Sequence, residues 1–171
     1  MLEFALRYAA LGWFIFPLHL IVNGRCGCGK DCRSPGKHPR IKWKAGASCD
    51  PDVVRGYWER WPSAGIGLAC GPSGLLVADA DGPKGVEAFR ALLVGQSCPP
   101  TAWARTARGG HFFFRGEGKT RSDPDTKLDP RGVGGFVVLA PSPHVSGHVY
   151  RWEVEPFGEG AIAEAPAALI E

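Results

Sequence analysis

Hydrophobic positions recur along this chain with two periods, and the switches between them mark its elements. Phe4, Tyr8 and Leu11 return at helical spacing over residues 3–11, and Gly12 follows as a stop. Residues 13–18 form a short apolar run with aromatics, ended near Pro17, and predict a strand. Residues 50–61 predict a second helix. Asp50 can cap it, Pro51 suits its first position, and Val54, Tyr57, Trp58 and Trp61 make one apolar face. Two apolar runs, 65–70 and 74–80, flank the turn Gly71-Pro72-Ser73 and predict neighbouring strands. A helix is expected over 86–94, after the Gly82-Pro83 break. Runs 101–106 and 111–115 flank residues 107–110 as a hairpin, and strands follow at 136–140 and 149–154. Residues 23–47 are a long insertion rich in Gly, Lys and Cys, which needs its own reason to exist. The segment from Glu155 is rich in Ala, Glu, Gly and Pro and is expected to add little to the core. The pattern is α+β, with short strands and few crossover connections.

Composition sharpens this in three ways. The 24 glycines and 15 prolines in 171 residues imply many turns, while 11% aromatic content argues against disorder. A net charge of +3 permits a polyanionic partner without demanding one. The six cysteines cluster at Cys26, Cys28 and Cys32 and are otherwise single, which points to a reducing compartment and not to a disulfide scaffold. The most apolar run, residues 9–22, contains Pro17 and His19 and is too short to span a bilayer. With no convincing signal peptide, a cytoplasmic protein without membrane association is expected.

Three segments carry candidate chemistry. The run from Leu75 ends in Asp79-Ala80-Asp81, and residues two apart on a strand point to the same side. Two carboxylates that close repel, so a positive partner is needed, and magnesium or manganese prefer oxygen ligands. A solvated strand end entering a Gly-Pro turn reads the same residues as well. Asp129 is the best third acid; Asp123 and Asp125 lie in a polar stretch typical of a solvated loop. Three carboxylates can hold the ion pair, ~4 Å apart, of two-metal chemistry.

Arg108-Gly109-Gly110-His111 leads into three phenylalanines. The glycines let a phosphate approach backbone N–H groups, His111 can donate to its oxygen, and Arg108 adds charge. Taken alone, the segment reads better as a plain hairpin turn into an apolar strand, with His111 hydrogen-bonded locally. Beside the acids, the phosphate reading gains, because phosphate ligands and metal ligands are needed together.

Cys26, Cys28, Cys32 and His38 give C-x-C-x₃-C-x₅-H. A structural zinc ion on four such ligands would replace the missing core of the insertion. A loop of thiols or a disulfide are the alternatives. Lys30, Arg33, Lys37, Arg40, Lys42 and Lys44, with Trp43, either grip a nucleic-acid strand or triphosphate or form a solvated basic loop. Trp58, Trp61, Trp103 and Phe112 to Phe114 read as core, and Cys49, Cys70 and Cys98 as small packing residues.

In this order the segments resemble the bifunctional primase-polymerase domain of the archaeo-eukaryotic primase superfamily. The resemblance is carried by FPLH at 16–19, GKHP at 36–39, YWERWPSAGIGLACG at 57–71, LLVADAD at 75–81, RGGHFFF at 108–114 and LDPRGVGGFVVLAPSPHVSGHVYRW at 128–152. It implies a primase-like catalytic core over 1–153, an RRM-like sheet plus a small α/β module, with the zinc loop 23–47 inserted and 154–171 as a tail or the start of a linker. It implies a nucleotidyltransferase that makes or extends primers from NTP or dNTP on a single-stranded DNA template, in plasmid or phage replication, with helicase or helical primase modules as further partners. Asp79, Asp81 and Asp129 would hold Mg²⁺ or Mn²⁺, and His111 would touch the triphosphate. Arg108, Gly109, Gly110, Arg131, Ser142 and His144 would add nucleotide or template contacts, although Ser142-Pro143-His144 also reads as a loop exit. The family often has Asp-x-Glu where this chain has Asp79-Ala80-Asp81, and Ser-x-His where it has Gly109-Gly110-His111. The rival readings are a metal-dependent nuclease and a non-catalytic zinc-containing nucleic-acid-binding module.

Overall fold

The protein was analysed as a computed structural model, which describes residues 1–96 and 98–170. The chain divides into two compact units, Met1–Ala69 with Val137–Tyr150, and Cys70–Phe136 with Arg151–Glu171.

In the first unit, helix α1 (Leu2–Ala10) buries Ala5, Tyr8 and Ala9. Tyr8 stacks on Trp13 and donates its hydroxyl to the Ala140 carbonyl at 2.7 Å. Strand β1 (Ile15–Leu18) is buried throughout, as its unbroken apolar run requires. A two-residue hairpin follows, β2 (Ile21–Val22) and β3 (Arg25–Cys26), turned by Asn23 and Gly24, both at positive φ. Short helix α2 (Trp43–Gly46) precedes α3 (Pro51–Arg60). Asp50 caps α3 by accepting the N–H groups of Asp52 and Val53, and Val54 and Trp58 form its buried face. Strand β4 (Gly65–Ala69) lies between β1 and β9 (Phe136–Leu139) in a three-stranded sheet.

The second unit opens with a 3-10 turn, Gly71–Ser73, leading into β5 (Leu75–Ala80) and α4 (Gly82–Leu92). Then come β6 (Trp103–Arg105), β7 (Gly110–Arg115), β8 (Leu128–Arg131), β10 (Arg151–Val154), β11 (Ala163–Glu164) and α5 (Ala167–Ile170). The sheet order is β10-β6-β7-β5-β8, with β11 paired parallel to β7. Period-2 alternation separates structure from chemistry on its two faces. Leu76, Ala78 and Ala80 of β5 join Phe89 of α4, Phe114, Leu128, Ala163 and Leu169 in one core. Phe112 stacks on Phe89 at 4.2 Å from the same side. The intervening residue Asp79 faces the other way, and so do its strand partners.

The architecture is mixed α+β with open sheets, as the pattern predicts. Four expectations differ from the structure. Helix α4 is not delayed to residue 86 by a Gly82-Pro83 break but starts at Gly82, because proline suits the first turn of a helix. The runs 65–70 and 74–80 are not neighbouring strands: the 3-10 turn carries the chain out of one sheet, and β5 pairs with β7 and β8 instead. Strand β8 was not expected, because Pro130 interrupts it; it is tolerated since β8 pairs only with β5 at the sheet edge. The segment after Glu155 is not a loose tail. Ile162, Ala163 and Leu169 are buried, and Ala163 and Leu169 belong to the core, because β11 extends the sheet and α5 covers it. Glu171, the end of that segment, lies outside the described residues. No helix among the described residues is long and apolar enough to cross a membrane.

Candidate active site and zinc-type cluster

The acids are assembled by strand register. Asp79 on β5 lies opposite His111 on β7 and, on its other side, opposite Asp129 on β8. Three adjacent strands thus present three polar side chains in one row. Asp79 Oδ1 stands 3.4 Å from His111 Nε2, and its Oδ2 stands 3.6 Å from Arg131 Nε. Arg131 Nη2 donates to Asp129 Oδ2 at 2.5 Å. The Asp123 N–H donates to the other oxygen of Asp129 at 2.8 Å. His111 is buried, whereas the side chains of Asp79, Asp129 and Arg131 keep roughly a quarter of their surface.

Asp81 continues the extended backbone of β5 and starts α4, yet its side chain makes no cap bond to that helix. The carboxylate is therefore not used for turn chemistry. It accepts instead from Arg108 Nη2 at 2.6 Å. Arg108 and Gly109 are held by their N–H groups on the Thr106 hydroxyl, and Thr106 N–H bonds the Gly109 carbonyl, which closes the β6–β7 turn. Gly109 passes so close to β5 that a Cβ there would lie 2.0 Å from the Ala80 carbonyl oxygen.

Asp123 matters more than a solvated loop residue would. Its carboxylate accepts the N–H groups of Asp125 and Thr126, and the Thr126 hydroxyl leads the bonds that hold it below the ordinary carboxylate range. This turn delivers Lys127, at φ 61, whose carbonyl accepts the Asp81 N–H. The loop thereby ties both Asp129 and Asp81 to the sheet. The signal was present in the sequence, since Asp-x-x-Thr is a turn-forming pattern.

The structure brings Asp79, His111, Asp129 and Arg131 together and turns Asp81 to Arg108. Two observations fit a divalent cation. Asp79 and Asp129 already converge on one cation, the Arg131 guanidinium, and their oxygen donors suit magnesium or manganese. Asp81, two residues along from Asp79, is a third carboxylate, 41% exposed and paired with Arg108. In the arrangement seen, however, the three aspartates are not packed as a ligand set; among the described residues the one group that is so packed is Cys26, Cys28, Cys32 and His38.

That second group lies in the first unit. Its four donor atoms are within 4.8 Å of one another, and Nδ1 of His38 is 3.7 Å from Cys26 Sγ and 3.6 Å from Cys32 Sγ. A tetrahedral zinc with ~2.3 Å bonds to sulfur spaces its ligands ~3.8 Å apart, so the group fits zinc. All six cysteines are thiols, which removes the disulfide alternative. Burial pushes the Cys26 thiol up to about 11, a cost that a bound cation reverses by taking the thiolate. Lys30, Arg33, Lys37, Lys42 and Lys44 are exposed, and Arg25, Lys30 and Asp31 line a depression beside the cluster. Trp43 is stacked on Phe16 at 5.5 Å and serves packing. The guanidinium groups of Arg40 and Arg60 lie 5.4 and 4.8 Å from the centre of the Trp61 ring.

Ser142 and His144 also belong to the first unit. The Ser142 hydroxyl, 1% exposed, accepts the N–H of Ile66 at 2.8 Å and so holds β4. His144 Nδ1 is 2.9 Å from the Ser146 hydroxyl in an exposed turn. Of the aromatics expected in the core, Trp58, Phe113 and Phe114 are fully buried; Trp103 and Phe112 are partly so and stack on each other.

Against known families, one model matches residues 5–168, nearly the whole chain; its description is bifunctional DNA primase/polymerase, N-terminal. No curated protein matches.

Proposed function

The chain belongs to the bifunctional DNA primase/polymerase N-terminal family, and from that premise we propose a template-dependent nucleotidyltransferase that makes or extends primers from NTP or dNTP on single-stranded DNA. The family implies an enzyme of the nucleotidyltransferase type. The observation that carries the finer reading is the row Asp129–Asp79–His111 across three strands, with Asp81 two residues along.

In the reaction, a primer 3′-hydroxyl attacks the α-phosphorus of the incoming nucleotide, and the bond to the β-phosphate oxygen breaks to release pyrophosphate. Magnesium or manganese on Asp79, Asp81 and Asp129 would, when bound, lower the pKa of that hydroxyl and neutralise the leaving group. His111, whose Nε2 stands 3.4 Å from Asp79 Oδ1, is the group assigned to a phosphate oxygen. Arg108 supplies charge at the turn, Gly109 and Gly110 keep that turn free of side chains so that a phosphate can approach, and Arg131 adds a second guanidinium. His144 is a candidate template or phosphate contact, and Ser142 acts by holding its strand. Zinc on Cys26, Cys28, Cys32 and His38 is structural, since four protein ligands leave no open position.

The test is Asp79→Asn, assayed for nucleotide incorporation and single-stranded DNA binding side by side. Incorporation should fall on the order of 10²–10³-fold, the scale for removing one preorganised electrostatic group, while DNA binding persists. Unchanged incorporation would refute the role of the acids.

A further inference from the structure

Each carboxylate of the site is already matched by an arginine. Arg131 reaches both Asp79 Oδ2 and Asp129 Oδ2, and Arg108 holds Asp81 Oδ2. Because Asp129 Oδ1 accepts the Asp123 N–H, Oδ2 is the oxygen it can turn to a second cation. Arg131 occupies that oxygen. A guanidinium beside that oxygen places a positive charge where a divalent ion would sit, and two like charges so close oppose each other. The guanidinium is, however, well matched to a phosphate, which it can grip through two parallel N–H bonds.

We propose that Arg131 is an exchangeable counter-ion: it bridges Asp79 and Asp129 while the carboxylates lack a divalent ion, and passes to the triphosphate of the incoming nucleotide when they gain one. This rests on the polymerising reading above. The Ser122 hydroxyl, 3.4 Å from Arg131 Nη1, gives the guanidinium a further anchor on the solvent side of the pair. The consequence is reciprocal coupling. Nucleotide draws Arg131 away and tightens divalent-ion binding, and divalent ions free Arg131 and tighten nucleotide binding by the same factor.

The experiment measures Mn²⁺ affinity of the zinc-loaded chain from the loss of free-ion signal in electron paramagnetic resonance, with and without a non-hydrolysable nucleoside triphosphate, after subtracting the ion that the nucleotide takes up in the absence of protein. Arg131→Met should bind Mn²⁺ about tenfold more tightly without nucleotide, equivalent to about 1.4 kcal/mol of removed competition. Nucleotide should tighten Mn²⁺ binding by a larger factor in the parent than in Arg131→Met, where only direct contact between ion and triphosphate couples the two. Equal or weaker Mn²⁺ affinity in that variant overturns the exchange. Asp79→Asn separates the two readings: if it leaves Mn²⁺ binding untouched, the metal assignment itself falls. The unmutated chain gives an independent reading. The ¹⁵N signal of Arg131 Nε should shift when Mg²⁺ and nucleotide are added together, and an unmoved signal also overturns the proposal.

Discussion

Gly109→Ser restores a residue that the family's pattern often carries, and in this chain it should be damaging. A Cβ at Gly109 would sit 2.0 Å from the Ala80 carbonyl oxygen, 3.1 Å from its carbon and 3.2 Å from the Gly82 nitrogen. All three are backbone atoms, so no side chain can swing aside. An ordinary carbon–oxygen contact needs about 3.3 Å, so the end of β5 must retreat by about 1.3 Å. Ala80 is the residue between the two acids, and both would move with it. Forcing such an insertion into packed structure costs roughly 1–3 kcal/mol. For a chain of this size, ~2 kcal/mol lowers Tm by about 4–8 °C. A misplacement near 1 Å at the reacting centre costs on the order of 10²-fold in rate. Scanning calorimetry and primer extension on the same preparations test both numbers. Gly110→Ala is the control, since its Cβ would meet the Phe112 and Trp103 rings at 3.2 to 3.3 Å, side chains that can give slightly. A Gly109→Ser protein that melts within about 1 °C of the parent and extends primers at its rate would refute the close approach of the β6–β7 turn to β5.

Other expectations follow from the same geometry. Metal analysis should find about one zinc ion per chain, lost in Cys26→Ser together with a lower Tm. Leu169→Ala, at a core position 1% exposed, should cost roughly 2–5 kcal/mol; an unchanged denaturant midpoint would mean that α5 does not pack on the sheet. Arg105, first, and Arg151 hold the Glu153 carboxyl below its ordinary 4.5. That pairing therefore stabilises the fold above about this value and fades as pH falls through the lowered one. Glu153→Gln should flatten the acid side of the Tm–pH curve, by a small amount because the pair is exposed.

Much of the site was legible because its chemistry lies in residue type and order. Asp79, His111 and Asp129 could be named before any pairing was known, and Asp50-Pro51 marked the start of α3 within a residue. What the chain did not announce was adjacency. Nothing in the runs 65–70 and 74–80 says that they enter different sheets, since both are apolar and a Gly-Pro-Ser turn serves a hairpin as well as a crossing. Pro130 hid β8, because a proline in a run argues against a strand unless the strand is known to be at an edge. The segment after Glu155 looked loose because its buried residues, Pro156, Ile162, Ala163, Pro166 and Leu169, follow neither a helical nor a strand period among its many Ala, Gly and Pro. Asn23-Gly24 was a readable hairpin signal, obscured by the cysteines around it.

The placement of Pro130 reaches beyond the site. Strand β8 is the outer member of the second unit's sheet, and such a rim ordinarily invites a foreign strand to zip onto it. Pro130 brings no N–H to that rim, and its carbonyl is already taken by the Arg121 N–H at 2.9 Å. Next to Asp129 the rim therefore presents no N–H and an occupied carbonyl to a foreign strand. The acid proposed to hold a metal ion sits beside the one position of β8 that offers an incoming strand no N–H.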